Sequence, residues 1–461
     1  MVDIDSLSKS LKGDVVTAAD PGYEDAIFRW ARNAIKKAKV VTFVKDAEDV
    51  STALKFAQTA GLRVAIRGGG HNPAAASSSE DGLVIDLSRY LDKVTVDPTK
   101  KLAYVGGGAL WKTVDEEGMK HGLATVGGTI NHTGVGGFIV GGGYGFLTGM
   151  YGLTIDNLVE ATVVIADGRI LKASSTENPD LFYGIRGGGS NFGIVTEFVL
   201  QLHSHPRKIF AGLVVFTPDK LAALSAVLEK WWANVQPNEA IYVFLGRAPP
   251  DGHPVIITNL VYHGTEAEGR ERHKAFFDVG PVVDHAKEIP YEALNGLQND
   301  FVPHGQNYFL KAVRLSRPSL EMTQSNFDKV LELSNFEELN VMLAFEYVSH
   351  AKVNSVSVDE TPYRRDLPGN AMILVTWKDD DPKKLQAARE AAHALAKITP
   401  EGTAYGNFTG PDSEALPAEG AIPGDRSQAY FSGAYPKLQA LKKKYDPGMV
   451  FNKWYPITPA A

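Results

Sequence analysis

Apolar positions along the first third of the chain recur with two different periods. Between Tyr23 and Ala38 they fall at Tyr23, Ala26, Ile27, Trp30, Ala31, Ala34, Ile35 and Ala38, a spacing that predicts a helix with one buried face. Val40 to Val44 is a continuous run that predicts a buried strand. Asp46 then caps a helix, with Asp49 in a first turn favoured by the helix dipole and Gly61 to end it. Leu62 to Ile66 predicts a second short strand, which runs directly into Arg67-Gly68-Gly69-Gly70-His71. Val163 to Ile165 and Ile170 to Ala173 flank Asp167-Gly168, the strongest short hairpin signal.

From Lys208 to Thr403 the pattern changes. Strand-like runs at Ile209–Phe216, Ile241–Gly246, Val255–Tyr262, Val341–Val348 and Ala371–Trp377 are interleaved with helical spacing near Asp219–Trp232, Glu266–Phe277, Ser319–Leu333 and Pro382–Ile398. This alternation suits an antiparallel sheet with helices packed on one face. Ser427 to Tyr445 predicts a closing helix, followed by a tail punctuated by proline. The chain shows no internal repeat and no low-complexity segment.

Composition sharpens this division. The chain has 45 glycines in 461 residues, densely clustered between Gly68 and Gly193, and the clusters stop after Pro206. One ligand-cradling domain at the N-terminal end and a second domain after it are therefore expected. A formal net charge of −7 gives no basic field for a phosphate backbone, which argues against a nucleic-acid partner. No apolar run approaches the roughly 20 residues that span a bilayer. Met1 to Leu11 lacks the apolar core of a secretory signal, so a cytoplasmic protein is expected, or a secreted one from which a signal peptide has been removed. The absence of cysteine excludes disulfides, Cys-ligated zinc, iron–sulfur clusters and a thiol nucleophile; no metal is expected. Two sequons, Asn131-His132-Thr133 and Asn407-Phe408-Thr409, adjoin the candidate site and read as chance matches.

Five segments carry candidate chemistry. In Arg67 to Asn72, successive glycines after a strand let backbone N–H groups converge on an anion and allow a ligand to approach closely. Such a loop more often serves a tight turn; His71 directly after it is either a nucleophile held against a flavin edge or a histidine that merely hydrogen-bonds in the loop. The second segment runs from Gly127 through Asn131, His132, Thr133, Gly134 and Gly137 to Gly145. Its Gly-x-Gly-x-x-Gly-like spacing lacks the preceding strand and the downstream acid of a dinucleotide fold. So much glycine predicts no stable regular structure, because each costs roughly 1 kcal/mol against alanine in a helix; backbone laid against a large flat ligand accounts for it better. The third is Arg186 to Thr196, a Gly-rich turn entering a strand. Tyr405-Gly406-Asn407-Phe408 and Lys443 to Phe451, taken alone, pass as a loop and a helix stop.

Taken in order, these motifs resemble the FAD-linked oxidases of the vanillyl-alcohol oxidase/p-cresol methylhydroxylase superfamily, in the berberine-bridge-enzyme-like branch. The matching runs are Arg67 to Asn72, Gly134 to Gly137 with Gly141 to Gly145, Tyr151 to Asn157, Asn178 to Tyr183, Arg186 to Gly193 and the Lys-Lys-Tyr-Asp-Pro run ending at Pro447. The resemblance covers nearly the whole chain. It implies an α+β fold: a two-subdomain FAD-binding domain of p-cresol methylhydroxylase type over residues 1–207, a substrate domain with an antiparallel sheet backed by helices over 208–404, and a C-terminal segment, 405–461, returning to the FAD domain.

The same resemblance implies FAD bound covalently through His71, with cofactor contacts from Arg67, Gly68, Gly69, Gly70, Asn72, Gly128, Thr129, Thr133, Gly134, Gly137, Gly141, Gly142, Gly143, Gly145, Asp156, Asn157, Gly193, Ile194, Val195, Tyr405 and Asn407. Doubly tethered members carry a cysteine where this chain has Ile130, so a single tether is expected. Members often place Gln or Glu on the strand before the tryptophan matched by Trp377. Here that strand, Ala371 to Thr376, is largely apolar, which speaks against sugar specificity. The implied chemistry is oxidation of an alcohol-type carbon of a small organic substrate (carbohydrate, polyol or secondary-metabolite alcohol) by hydride transfer to flavin N5.

Tyr405 would take the hydroxyl proton as base, or stand as a structural aromatic beside the flavin. As base it needs a positive charge or a shared hydrogen bond to lower a pKa near 10. Asn407 would orient the site, and His132 is either part of it or a satisfied polar residue. Thr133, close to the volume that the family associates with oxygen use, implies molecular oxygen as acceptor and hydrogen peroxide as product. A quinone-dependent dehydrogenase, an oxidative cyclase and a catalytically silent flavin- or ligand-binding protein stand as alternatives.

Overall fold

The computed structural model describes residues 3–248, 251–335, 337–366, 369–399, 405–408 and 425–461. The expected domain boundary at 404/405 and Thr409 of the second sequon touch residues outside these ranges.

Three sheets organise the chain. The first has four strands in the order Asp14–Val16, Val40–Phe43, Leu83–Asp86, Val64–Arg67, the last three parallel. Helix Ala47–Thr59 carries the chain over from Val40–Phe43 to Val64–Arg67, and Leu83–Asp86 then inserts between those two strands. The Asp46 carboxylate caps that helix on the Asp49 N–H at 3.0 Å. The second sheet is antiparallel, in the order Val94–Asp97, Leu102–Gly106, Ile194–Gln201, Leu158–Val164, Ile170–Ser174, its last pair joined at Asp167-Gly168. Val164, Ala166 and Ile194 share a core with Val40, Val50, Leu54 and Leu83, which locks the two sheets together.

The third sheet is built from residues 208–377. Its order is Val283–Asp284, Lys208–Phe216, His253–Tyr262, Glu239–Ala248, Asn340–Val348, Asn370–Trp377, Asn307–Arg314, with Lys287–Pro290 also pairing on Lys208–Phe216. Strand side chains alternate between faces. On Asn340–Val348, for example, Val341, Leu343, Phe345 and Tyr347 join a core with helices Leu221–Trp232, Leu320–Leu333 and Pro382–Ala396, the last through Ala388, Ala392 and Leu395. Met342, Ala344 and Glu346 face the other way, into the cavity described below.

The C-terminal segment packs back on the glycine-rich half. The buried Lys442 ammonium donates to the Asn191 carbonyl at 2.8 Å, the Phe451 carbonyl at 2.7 Å and the Asp446 carboxylate at 2.6 Å. Asn191 in turn donates its side-chain amide to the carbonyls of Trp454 and Tyr455.

Some elements depart from the sequence pattern. The expected Tyr23–Ala38 helix is only Tyr23–Ile27 and a single turn at Arg32–Ala34, with Phe28 extended between them. Tertiary partners claim the backbone there: Trp30 N–H donates to Gly70 O and Arg32 N–H to Gln306 O, while the apolar positions of the pattern stay buried except the partly buried Ile35. The closing helix is split into Asp425–Phe431 and Tyr435–Tyr445 where Ser432 turns left-handed at φ +47°. Glu266–Phe277 is likewise two helices, meeting at His273. The glycine run does form regular structure, a short helix at Val135–Val140. Strand Asn307–Arg314 and helices Trp111–Met119 and Pro179–Ile185 had no place in the pattern reading.

Candidate active site

A cavity of about 280 Å³ lies between the glycine-rich half and the open face of the third sheet. Strand Val64–Arg67 delivers Gly68, Gly69, Gly70, His71 and Asn72 to its wall. Gly128, Thr129, Thr133, Gly134 and Gly137 line it from the second segment, and Gly193, Ile194 and Val195 from the third. Tyr405 and Asn407 arrive from the C-terminal side.

The remaining sequence-expected residues stand behind that wall. Arg67 directs its guanidinium to Asp86 at 2.8 Å and to the Ala26 carbonyl. At Gly141 a Cβ would lie 2.0 Å from Asn407 Oδ1, and at Gly142 2.6 Å from the Tyr363 ring. Gly145 is pressed on the Gly127 carbonyl in the same way, a Cβ there falling 1.9 Å from it. Gly143 offers its N–H to the Tyr405 oxygen at 3.2 Å. Asp156 forms a two-pronged ion pair with Arg365 at 2.7 and 2.9 Å. Asn157 donates to the carbonyls of Tyr151 and Leu153, and its Oδ1 meets His203 Nε2 at 2.7 Å. These seven are placed to brace the site rather than to face its cavity. Close packing of backbone on backbone, as much as a flat ligand, explains the glycine density: a Cβ on Gly69 would lie 2.4 Å from Gly134 N, and one on Gly134 2.2 Å from Gly69 N.

His71 is held on two sides. Its ring stacks on Trp30 at 4.1 Å, Trp30 stacks on Tyr308 at 3.9 Å, and His71 Nε2 lies 3.1 Å from His132 Nδ1. Burial pulls the His71 pKa well below the usual imidazole value, and His132 and His304 add to the effect. The ring is therefore neutral at pH 7, the form in which a nitrogen lone pair is available for bonding. His132, lowered to about 4 mainly by burial, has a buried Nε2 with no partner among the described residues.

Tyr405 is 1% exposed. Its phenolic oxygen receives two donors, Asn407 Nδ2 at 2.7 Å and Gly143 N at 3.2 Å. Burial raises its pKa above the ordinary phenol range, and those two hydrogen bonds pull the other way. Among the described residues both partners on its oxygen are hydrogen-bond donors, Asn407 and the Gly143 N–H, and neither is a charged group. Tyr144, whose ring lies 6.3 Å from that of Tyr405, donates to the Glu346 carbonyl at 3.1 Å.

The residues present fit a bound FAD. Gly137 lines the cavity, and a Cβ there would meet nothing within 4 Å, leaving room for a flat group against the short helix. Ser77 also lines it, and its buried hydroxyl has no partner among the described residues. Ser77, Ser190, Asn452 and Lys453 are wall residues that sequence reasoning missed. Lys453 sits only four positions past Met449 of the fifth segment, and that proximity was the available signal. Glu346, Met342, Met372 and Leu374 were also missed, because single side chains on ordinary strands leave no local motif.

A cavity floored by glycine backbone, closed by a half-buried histidine and a hydrogen-bonded phenol, defines a flavin-dependent oxidoreductase. Residues 38–174 match the FAD binding domain family, and residues 404–457 match the family described as berberine and berberine like. The FAD-linked oxidoreductase pgmH of Aspergillus terreus is 31% identical over 99% of this chain and 96% of its own. The (R)-6-hydroxynicotine oxidase of Paenarthrobacter nicotinovorans is 29% identical over 98% and 97%. Among solved structures, 6-hydroxy-D-nicotine oxidase from Arthrobacter nicotinovorans superposes with a TM-score of 0.85 at 26% identity, covering 98% of this chain and 99% of that one. A glucooligosaccharide oxidase from Acremonium strictum shares the fold, with a TM-score of 0.84 at 23% identity and full coverage of both chains, 100% each. The chain belongs to the FAD-linked oxidoreductases of the berberine-bridge-enzyme-like branch of the vanillyl-alcohol oxidase/p-cresol methylhydroxylase superfamily. Among the described residues no helix is long and apolar enough to cross a membrane.

Proposed function

We propose that this protein is an oxidase that carries FAD on a single covalent bond from His71 and oxidises an alcohol-type carbon of a small organic molecule. In this reading residues 1–207 and 405–461 hold the cofactor and 208–404 the substrate. FAD, when bound, supplies the two-electron acceptor that takes a hydride from the substrate carbon and passes the electrons to dioxygen, giving hydrogen peroxide. The chain's own residues position that carbon and remove the hydroxyl proton.

The observation that carries the reading is the environment of Tyr405. A phenol held by two N–H donors on its oxygen has no N–H acceptor role left to fill, and both donors stabilise negative charge there. Tyr405 is thus built to take a proton as base, with Asn407 fixing its orientation. Of the substrate types considered, a secondary-metabolite alcohol fits best. Met342, Ala344, Met372 and Leu374 give the sheet side of the cavity an apolar surface that offers sugar hydroxyls few partners. Thr133 lies in the cavity wall.

Tyr405→Phe tests this. The variant should keep its fold and flavin spectrum while kcat falls by roughly 10²–10⁴, the usual contribution of a positioned base. Because burial holds the phenol above its ordinary pKa, wild-type kcat/KM should climb with pH into the alkaline range, and the variant should lack that rise. A loss confined to KM would make Tyr405 a binding residue instead.

A further inference from the structure

We propose that Glu346 is the recognition group for a basic nitrogen on an otherwise apolar substrate. This rests on the reading above, in which the cavity is where substrate meets FAD.

Glu346 is 3% exposed and lies in the cavity wall. It sits at the centre of a polar row that crosses the sheet. Strand register places Asn259 opposite Tyr242, Tyr242 opposite Glu346, and Glu346 opposite Asn370. Residues directly opposite one another share a face, and all four are buried. All four also carry unpartnered polar atoms among the described residues: both amide atoms of Asn259 and of Asn370, the Tyr242 hydroxyl and Glu346 Oε2. A buried polar group left unmade costs about 1–3 kcal/mol, so a row of four marks a place where something polar belongs. Glu346 is the member of the row that reaches the cavity.

The charge of the missing group follows from the surroundings. Among the described residues no Lys, Arg or His forms an ion pair with Glu346, and the titratable side chains around it are the phenols of Tyr144, Tyr242 and Tyr405. Burial alone pushes its pKa up to about 8. A carboxyl group in this state gains most from a cation, which restores its ionised form and replaces the lost water. Its neighbours Phe244, Met342, Met372 and Leu374 in the cavity wall call for an apolar frame around that nitrogen.

Three probes separate the possibilities in the FAD-loaded protein: tryptamine, its neutral isostere tryptophol, and cellobiose. Binding is read from perturbation of the flavin absorbance and, independently, from the shift in melting temperature. Tryptamine should bind about tenfold or more tightly than tryptophol, with cellobiose weakest. Glu346→Gln should erase the preference by weakening tryptamine alone, and Glu346→Asp should keep part of it. If Glu346→Gln does not fold, the wild-type ranking decides. Equal or tighter binding of tryptophol or cellobiose, no saturable tryptamine binding at millimolar concentration, or an unchanged preference in Glu346→Gln would each overturn the proposal. Failure of the flavin reading looks different: protein purified without flavin, or flavin that no substrate bleaches, with the tryptamine-induced melting shift intact.

Discussion

On one side of the cavity Gly69 and Gly134 meet backbone to backbone, so close that a methyl group on either would lie within 2.5 Å of the other's main chain. On the opposite side Met342, Met372 and Leu374 project from regular strands whose hydrogen bonds do not depend on what those side chains are. The first wall cannot change one residue without moving the main chain. The second can change residue by residue while the ladder beneath it stays in register. In the proposed reading the cofactor side is therefore fixed in backbone geometry, and substrate choice rests on single side chains.

The comparison breaks most visibly with matched substitutions. Gly69→Ala should yield little or no FAD-loaded protein, because the added carbon meets Gly134 N at 2.4 Å and backbone has nowhere to yield. Met372→Ala, which removes far more volume from the facing wall, should fold, retain FAD and change only KM and substrate ranking. Flavin content per chain and thermal melting read both outcomes; normal flavin loading in Gly69→Ala would refute the contrast. A smaller effect is expected between the two walls. Thr133→Ile enlarges a residue of the glycine side without touching its backbone, and should slow reoxidation by oxygen about tenfold, or 1.4 kcal/mol of barrier. Anaerobic reduction by substrate should stay nearly unchanged. Rapid-mixing absorbance separates the two half-reactions, and equal slowing of both would show that Thr133 affects the site as a whole. Slow reoxidation of the wild-type protein in air, with fast reoxidation by a quinone, would favour the dehydrogenase alternative.

What sequence made legible follows the same division. The glycine loops, His71 and Tyr405 were readable because ordered local motifs carry them. The third sheet's strands at Lys208–Phe216, His253–Tyr262, Asn340–Val348 and Asn370–Trp377 were readable from apolar runs of strand length. The polar row through Glu346 was not, because it exists only once four strands are in register. Nor was the Gly143 donor to Tyr405, 262 positions away in the chain. The Tyr23–Ala38 spacing misled for a related reason: all its apolar positions but Ile35 are buried as the pattern requires, but tertiary hydrogen bonds from Trp30 and Arg32 replace the helical ones. Asp156 and Asn157 belong to a matched motif, yet their side chains hold neighbouring loops instead of facing the cavity.

The proposed tether at His71 is the point at which fold, site and chemistry meet. A neutral, half-buried imidazole stacked on Trp30 and hydrogen-bonded to His132 is placed to carry FAD, and with no cysteine in the chain no thiol can share the task. The direct measurement is acid precipitation of the purified protein, followed by proteolysis and mass spectrometry of the yellow fraction. The flavin should stay with the precipitate, on a single peptide containing His71, and His71→Ala should bind FAD but release it all on denaturation. Flavin recovered entirely in the supernatant of the wild-type protein, or attached to a peptide lacking His71, would contradict the account.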